Sequence, residues 1–91
     1  MLFQLKGVFR MTDPTAIFSI HDDQEREIHQ VLMEVYAALK EKGYNPVNQI
    51  VGYILSEDPT YITTHKNARN LIRHIDRDDL LQAMVRHYLD L

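Results

Sequence analysis

Apolar side chains return between residues 24 and 42 with a helical rhythm. Ile28, Val31, Leu32, Val35 and Leu39 fall at the i, i+3, i+4, i+7 and i+11 positions of one face. A helix over 24–42 is therefore predicted, capped by Asp22 or Asp23 and ending where Lys40 and Lys42 suit the negative pole of its dipole. Met33, Tyr36 and Ala37 widen the apolar surface beyond that stripe. Such width serves either a second core neighbour or a contact with another chain.

Val47, Ile50, Val51, Ile54 and Leu55 form a second one-faced stripe, predicting a helix over 46–56. The connection is legible in its turn residues. Gly43 can take the left-handed conformation that ends the first helix, with Tyr44 packing back on Leu39. Asn45 can cap the second helix, with Pro46 in its first turn. Gly52 costs about 1 kcal/mol in a helix interior, so it is expected to mark a close approach of backbone. Asp58-Pro59 reads as a further cap-plus-proline start, of one short turn. A third helix, about 64–75, opens at Thr63 or Thr64 and carries Ala68, Leu71, Ile72 and Ile75. A fourth, about 77–90, is capped by Asp76, with Leu80, Leu81, Met84, Val85, Tyr88 and Leu89 expected as buried pairs. Asp78 and Asp79 in its first turn and Arg86 and His87 in its last match the dipole. No strand alternation competes, and the fold class is all-α, a small bundle of about four helices.

Residues 12–23 show no helical period, and Pro14 blocks a helix interior. The expected organisation is an N-terminal extension over 1–10 (MLFQLKGVFR) outside the fold and disordered, and a flexible arm over 11–23 anchored only by Ile17 and Phe18. A single helical domain over 24–91 completes the chain. At 91 residues with 45% hydrophobic content, a lone core is marginal, and self-association would bury more apolar surface. The formal charge of −3 argues against a dedicated nucleic-acid binder. Absence of cysteine removes disulfides and thiolate chemistry and fits a reducing cytoplasm. No apolar run is long enough to span a membrane.

Little in the chain carries chemistry. The histidines at 21, 29, 65, 74 and 87 form no metal-binding spacing, so neither metal nor cofactor is expected. The His21, Asp22, Asp23 cluster reads as capping residues, and no nucleophile elbow, P-loop or dinucleotide fingerprint occurs. Lys66, Arg69, Arg73 and Arg77 recur at +3, +4 and +4. They would share one face if the third helix ran through Arg77. A solvated face is the default reading, with a phosphate-docking or partner face and a nucleic-acid ridge as the functional ones. A helix-turn-helix needs a turn of about 3–4 residues, whereas the whole stretch from Ser56 to Thr63 separates the second and third helices. Thr12 and Thr15 flank Asp13-Pro14 in the arm, where a protein kinase could reach their hydroxyls.

The run EVYAALKEKGYNPVNQIVGYILSEDPTYIT, followed by ARNLIRHIDRDDLL and a terminal apolar helix, resembles the IreB family of small regulatory phosphoproteins of Gram-positive bacteria. The likeness extends from Thr12 to about Leu89. Its most specific blocks are GYNPVNQIVGY, DPTYI and ARNLI, and they mark Gly43, Tyr44, Asn45, Pro46, Gln49, Gly52, Tyr53, Asp58, Pro59 and Tyr61 as a motif corner. The resemblance implies a cytoplasmic, non-enzymatic helical homodimer in cell-envelope stress signalling. It implies that Thr12 and Thr15 are targets of a membrane-anchored PASTA-type Ser/Thr kinase, that a cognate phosphatase reverses the mark, and that a downstream protein reads it. The extension over 1–10 and Pro14 between the threonines depart from the family pattern.

Overall fold

Helix α1, Pro14–Glu41, is the spine of the molecule in a computed structural model that describes residues 14–91, with side chains from residue 23 onward. The readings that fall on residues 1–13, including the extension and Thr12, lie outside the described residues. The expected helix start at Gln24 moves to Pro14, and Asp22 and Asp23 lie within the helix instead of capping it. Proline suits the first helical position, where its missing N–H has no intrahelical acceptor. Interior Asp costs only some tenths of a kcal/mol, so the pair does not stop the chain.

Helix α1 ends as anticipated. Gly43 has φ +85°, its N–H donates to the Lys40 carbonyl at 3.0 Å, and the Tyr44 N–H donates to the Leu39 carbonyl at 3.0 Å. These are the paired bonds of a Schellman motif. Asn45 then accepts from the Asn48 N–H at 3.2 Å and opens α2, Pro46–Ser56. A single 3₁₀ turn, Pro59–Tyr61, follows behind the Asp58 cap.

The third helix is shorter than expected. Another 3₁₀ turn, His65–Asn67, precedes α3, Ala68–Arg73. Lys66 and Asn67 both stand in the left-handed region, at φ 52° and 63°, and this breaks the helix anticipated from Thr64. Thr63 still marks the turn, since its hydroxyl accepts from the His65 N–H at 3.1 Å. Helix α4, Arg77–Leu89, follows Asp76, which holds the N-cap position without a side-chain bond.

The core lies between α1, α2 and α3 and is capped by one residue of α4. Ile28, Val35 and Leu39 of α1, Ile62 of the connection, Ala68 and Ile72 of α3, Ile75, and Leu80 are all buried. Leu80 is the sole buried residue of α4, so the expected buried pairs are corrected: Leu81, Val85, Tyr88 and Leu89 are exposed. The stripe of α2 also faces largely outward. Its buried residue is Tyr53, whereas Val47, Val51 and Leu55 are exposed.

Gly52 marks a close approach, but by a ring and not by backbone. A Cβ at this position would lie 2.5 Å from Cε1 of Tyr61. Gln49 holds that segment in place, donating from Nε2 to the Tyr61 carbonyl at 2.8 Å. Gly52→Ala is therefore expected to lower stability by roughly 0.5–2 kcal/mol, because overpacking outweighs the helix-propensity gain. In a Tyr61→Ala background the same change should stabilise by about 0.5–1 kcal/mol. Urea denaturation of the four proteins checks the reversal, and a stabilised single Gly52→Ala variant would contradict the close approach.

Candidate interaction surface

The motif corner is built for position and carries no reactive group. The Ser56 hydroxyl donates to the Gly52 carbonyl at 2.7 Å and accepts from the Asp58 N–H at 3.1 Å. Glu57, left-handed at φ 60°, returns its N–H to the Tyr53 carbonyl. Asp58 Oδ1 accepts from both the hydroxyl and the N–H of Thr60, at 2.7 and 3.0 Å. Those two bonds, the hydroxyl first, hold the Asp58 carboxyl below its ordinary range. Gly43, Tyr44, Asn45 and Pro46 turn the chain, and Gln49, Gly52, Tyr53, Asp58, Pro59 and Tyr61 seat the next connection against α2.

The four cations do not form a ridge, because α3 ends at Arg73. Lys66 donates to Glu41 Oε2 at 3.2 Å, beside His65 Nε2 at 2.5 Å from Glu41 Oε1. These partners, His65 first, lower the Glu41 pKa. Because the folded value is the depressed one, the contact stabilises above the ordinary glutamate range and is lost as pH falls through the lowered value. Arg69 Nε donates to the Ile62 carbonyl at 2.8 Å. Arg77 donates to the Ile54 carbonyl at 2.7 Å and pairs with Glu57 at 2.8 Å. Arg73 is exposed, and it alone of the four has no hydrogen-bond partner among the described residues. Three of the four thus brace the fold, and the nucleic-acid reading loses the continuous face it needed.

The surface that stands out is apolar. A groove is lined by His29, Leu32, Met33 and Tyr36 of α1, by Val47, Ile50, Val51 and Ile54 of α2, and by Met84. Met84 also borders a second apolar concavity with Val85, Tyr88 and Leu89, so the two join into one face. Seven of these side chains (Met33, Tyr36, Val47, Val51, Val85, Tyr88 and Leu89) are between 40% and 88% exposed. Together they leave apolar surface of α1, α2 and α4 open to solvent. Exposed apolar side chains gathered on one face, as opposed to scattered singly, mark an interaction surface. The sequence signal for it was the width of α1 beyond one stripe, at Met33 and Tyr36. The α4 half was missed because its apolar residues fit a buried helix equally well.

Among the described residues no cluster of three or more His, Asp or Glu side chains could hold a metal ion, and no helix is long and apolar enough to cross a membrane. Thr15 lies in the first turn of α1 by its backbone.

The model of the IreB regulatory phosphoprotein family matches residues 13–90. This chain belongs to the IreB family. The match begins at Asp13 and runs through α4, so the corner and the apolar face both fall within the IreB region. Relatives bearing the name UPF0297 protein are similar over 76 residues, 84% of this chain. The protein of Ruminiclostridium cellulolyticum is 53% identical, with 86% of its length covered. That of Acetivibrio thermocellus is 55% identical, with 84% covered. IreB proteins are non-enzymatic regulatory phosphoproteins.

Proposed function

We propose that this IreB protein is a cytoplasmic, phosphorylation-controlled adaptor that works as a homodimer in cell-envelope stress signalling. The observation that carries the reading is the joined apolar face of α1, α2 and α4, which stands uncovered on a chain with a small core. The residues lining the two concavities include no carboxylate, Lys or Arg, with Lys40 only at the edge, 5.9 Å from the Tyr36 ring. The surface thus favours an apolar partner, and a second copy matches it by symmetry. Phosphate enters on Thr12 and Thr15 from a membrane-anchored PASTA-type Ser/Thr kinase and is removed by a cognate phosphatase; a downstream protein reads the result. Each phosphate adds about −1.5 to −2 charge at the N-terminal end of the chain.

Helix geometry supports a long reach for that signal. At about 1.5 Å per residue, position 15 stands roughly 39 Å from Glu41 along α1, so the marked end lies far from the Glu41–His65–Lys66 contact in the same chain. Mass spectrometry of the protein from cells with and without the kinase tests the phosphorylation. Peptides containing Thr12 and Thr15 are expected to carry phosphate only when the kinase is present. Unmodified threonines in both would overturn this part of the reading.

A further inference from the structure

The apolar groove contains one side chain able to gain a positive charge near neutral pH, His29. It lies on the rim shared by two concavities, the groove between α1 and α2 and a cleft between α1 and α4 lined by Glu25, Ile28, Ala83 and His87. We infer that His29 makes contact between two copies of this chain pH-dependent, with association favoured when the imidazole is neutral and weakened when it is charged. The inference rests on the homodimer proposed above.

The surroundings of His29 decide the sign. From α2 the groove presents Val47, Ile50, Val51 and Ile54 and no charge. From α4, His87 faces the same cleft. Arg86 is occupied by Glu25, its Nε donating to Oε2 at 2.8 Å. Asp79 faces the neighbouring cleft formed by Gln24 and Ile28, which His29 does not line. On α1 itself, Arg26 pairs with Asp23. Glu25, the carboxylate that lines the α1–α4 cleft with His29, pairs through Oε2 with Arg86, and the α1–α2 groove itself is lined by no carboxylate. Covering the groove with a second apolar face would strip water from a charged ring without replacing it. Because a two-fold pair contributes the group twice, the cost is paid at two positions.

Histidine gains its charge between about pH 8 and pH 5. Each such group excluded from water can weaken association by up to about tenfold per pH unit. Sedimentation equilibrium of the full chain at about pH 7.5 and 5.5 is the test. The dissociation constant of the wild-type dimer is expected to rise at least tenfold at the lower pH. In His29→Gln, or in His29→Leu should the amide disfavour contact, the ratio should fall to within about twofold of unity. His74→Gln, which is exposed on the α3 side and bonds the Asn70 carbonyl, should keep the wild-type ratio. A dimer equally tight at both pH values, or one whose pH dependence survives in the position-29 variants, would overturn the inference and leave the dimer standing. Absence of association at pH 7.5 would overturn the dimer reading, and this inference with it.

Discussion

Val51→Asp is expected to weaken self-association by at least about 100-fold while leaving the fold intact. Val51 sits in the groove between Val47 and Ile54 and is 47% exposed, so an aspartate there stays hydrated in the single chain. In a symmetric dimer the substitution enters the interface twice, and each unpaired carboxylate must lose water against apolar neighbours at a cost of several kcal/mol. Sedimentation equilibrium reads the loss, and an unchanged helical circular dichroism spectrum establishes that the fold survives. A variant that folds and associates like the wild type would place the contact elsewhere.

Leu39→Ala is expected to cost about 2–5 kcal/mol of folding stability, the range for emptying a fully enclosed leucine site. Leu39 has no exposed surface and stands where α1, the connection at Ile62 and Ile72 of α3 meet in one buried cluster. Its carbonyl also accepts the Tyr44 N–H that closes the helix, so collapse of the site would strain the Gly43 turn. A small domain holds only about 5–15 kcal/mol in total, and the variant should show a markedly lower urea midpoint. Leu55→Ala is the matched comparison. That side chain is 81% exposed and should change stability by no more than about 0.5 kcal/mol. Similar midpoints for the two variants would contradict the core described above.

What could be read in the chain was local. Gly43, Asn45-Pro46 and Asp58-Pro59 each set a turn through their own backbone or side-chain chemistry, and the structure places all three turns where those residues stand. Gly52 announced a close approach without naming Tyr61, which lies nine positions further on and is fixed by Gln49. Lys66 carries no signal for a left-handed residue. Asparagine tolerates that region, but Asn67 sits within an otherwise helical pattern, so the spacing overstates the length of the third helix. Asp22 and Asp23 resembled a cap because acidic residues favour helix starts; only the continuous backbone from Pro14 shows them inside the helix.

Burial was the harder reading. A one-faced apolar stripe states that a helix face wants cover, but not whether the same chain supplies it. On α2 the inner residue is Tyr53, while Val47 and Val51 turn outward. On α4 only Leu80 is fully buried, Ala83 and Met84 pack partly against the core, and the apolar end at Val85, Tyr88 and Leu89 stands in solvent. The cations at 66, 69, 73 and 77 erred for the same reason. Their spacing fitted one helix face, but the chain turns after Arg73, and carbonyls at Ile54 and Ile62 claim two of the guanidinium groups.

Multi-angle light scattering of the unmodified chain across a concentration series tests most directly whether the face of α1, α2 and α4 joins two copies. The expected mass approaches twice the 10.7 kDa of one chain as concentration rises. A mass that stays at the single-chain value throughout would contradict it.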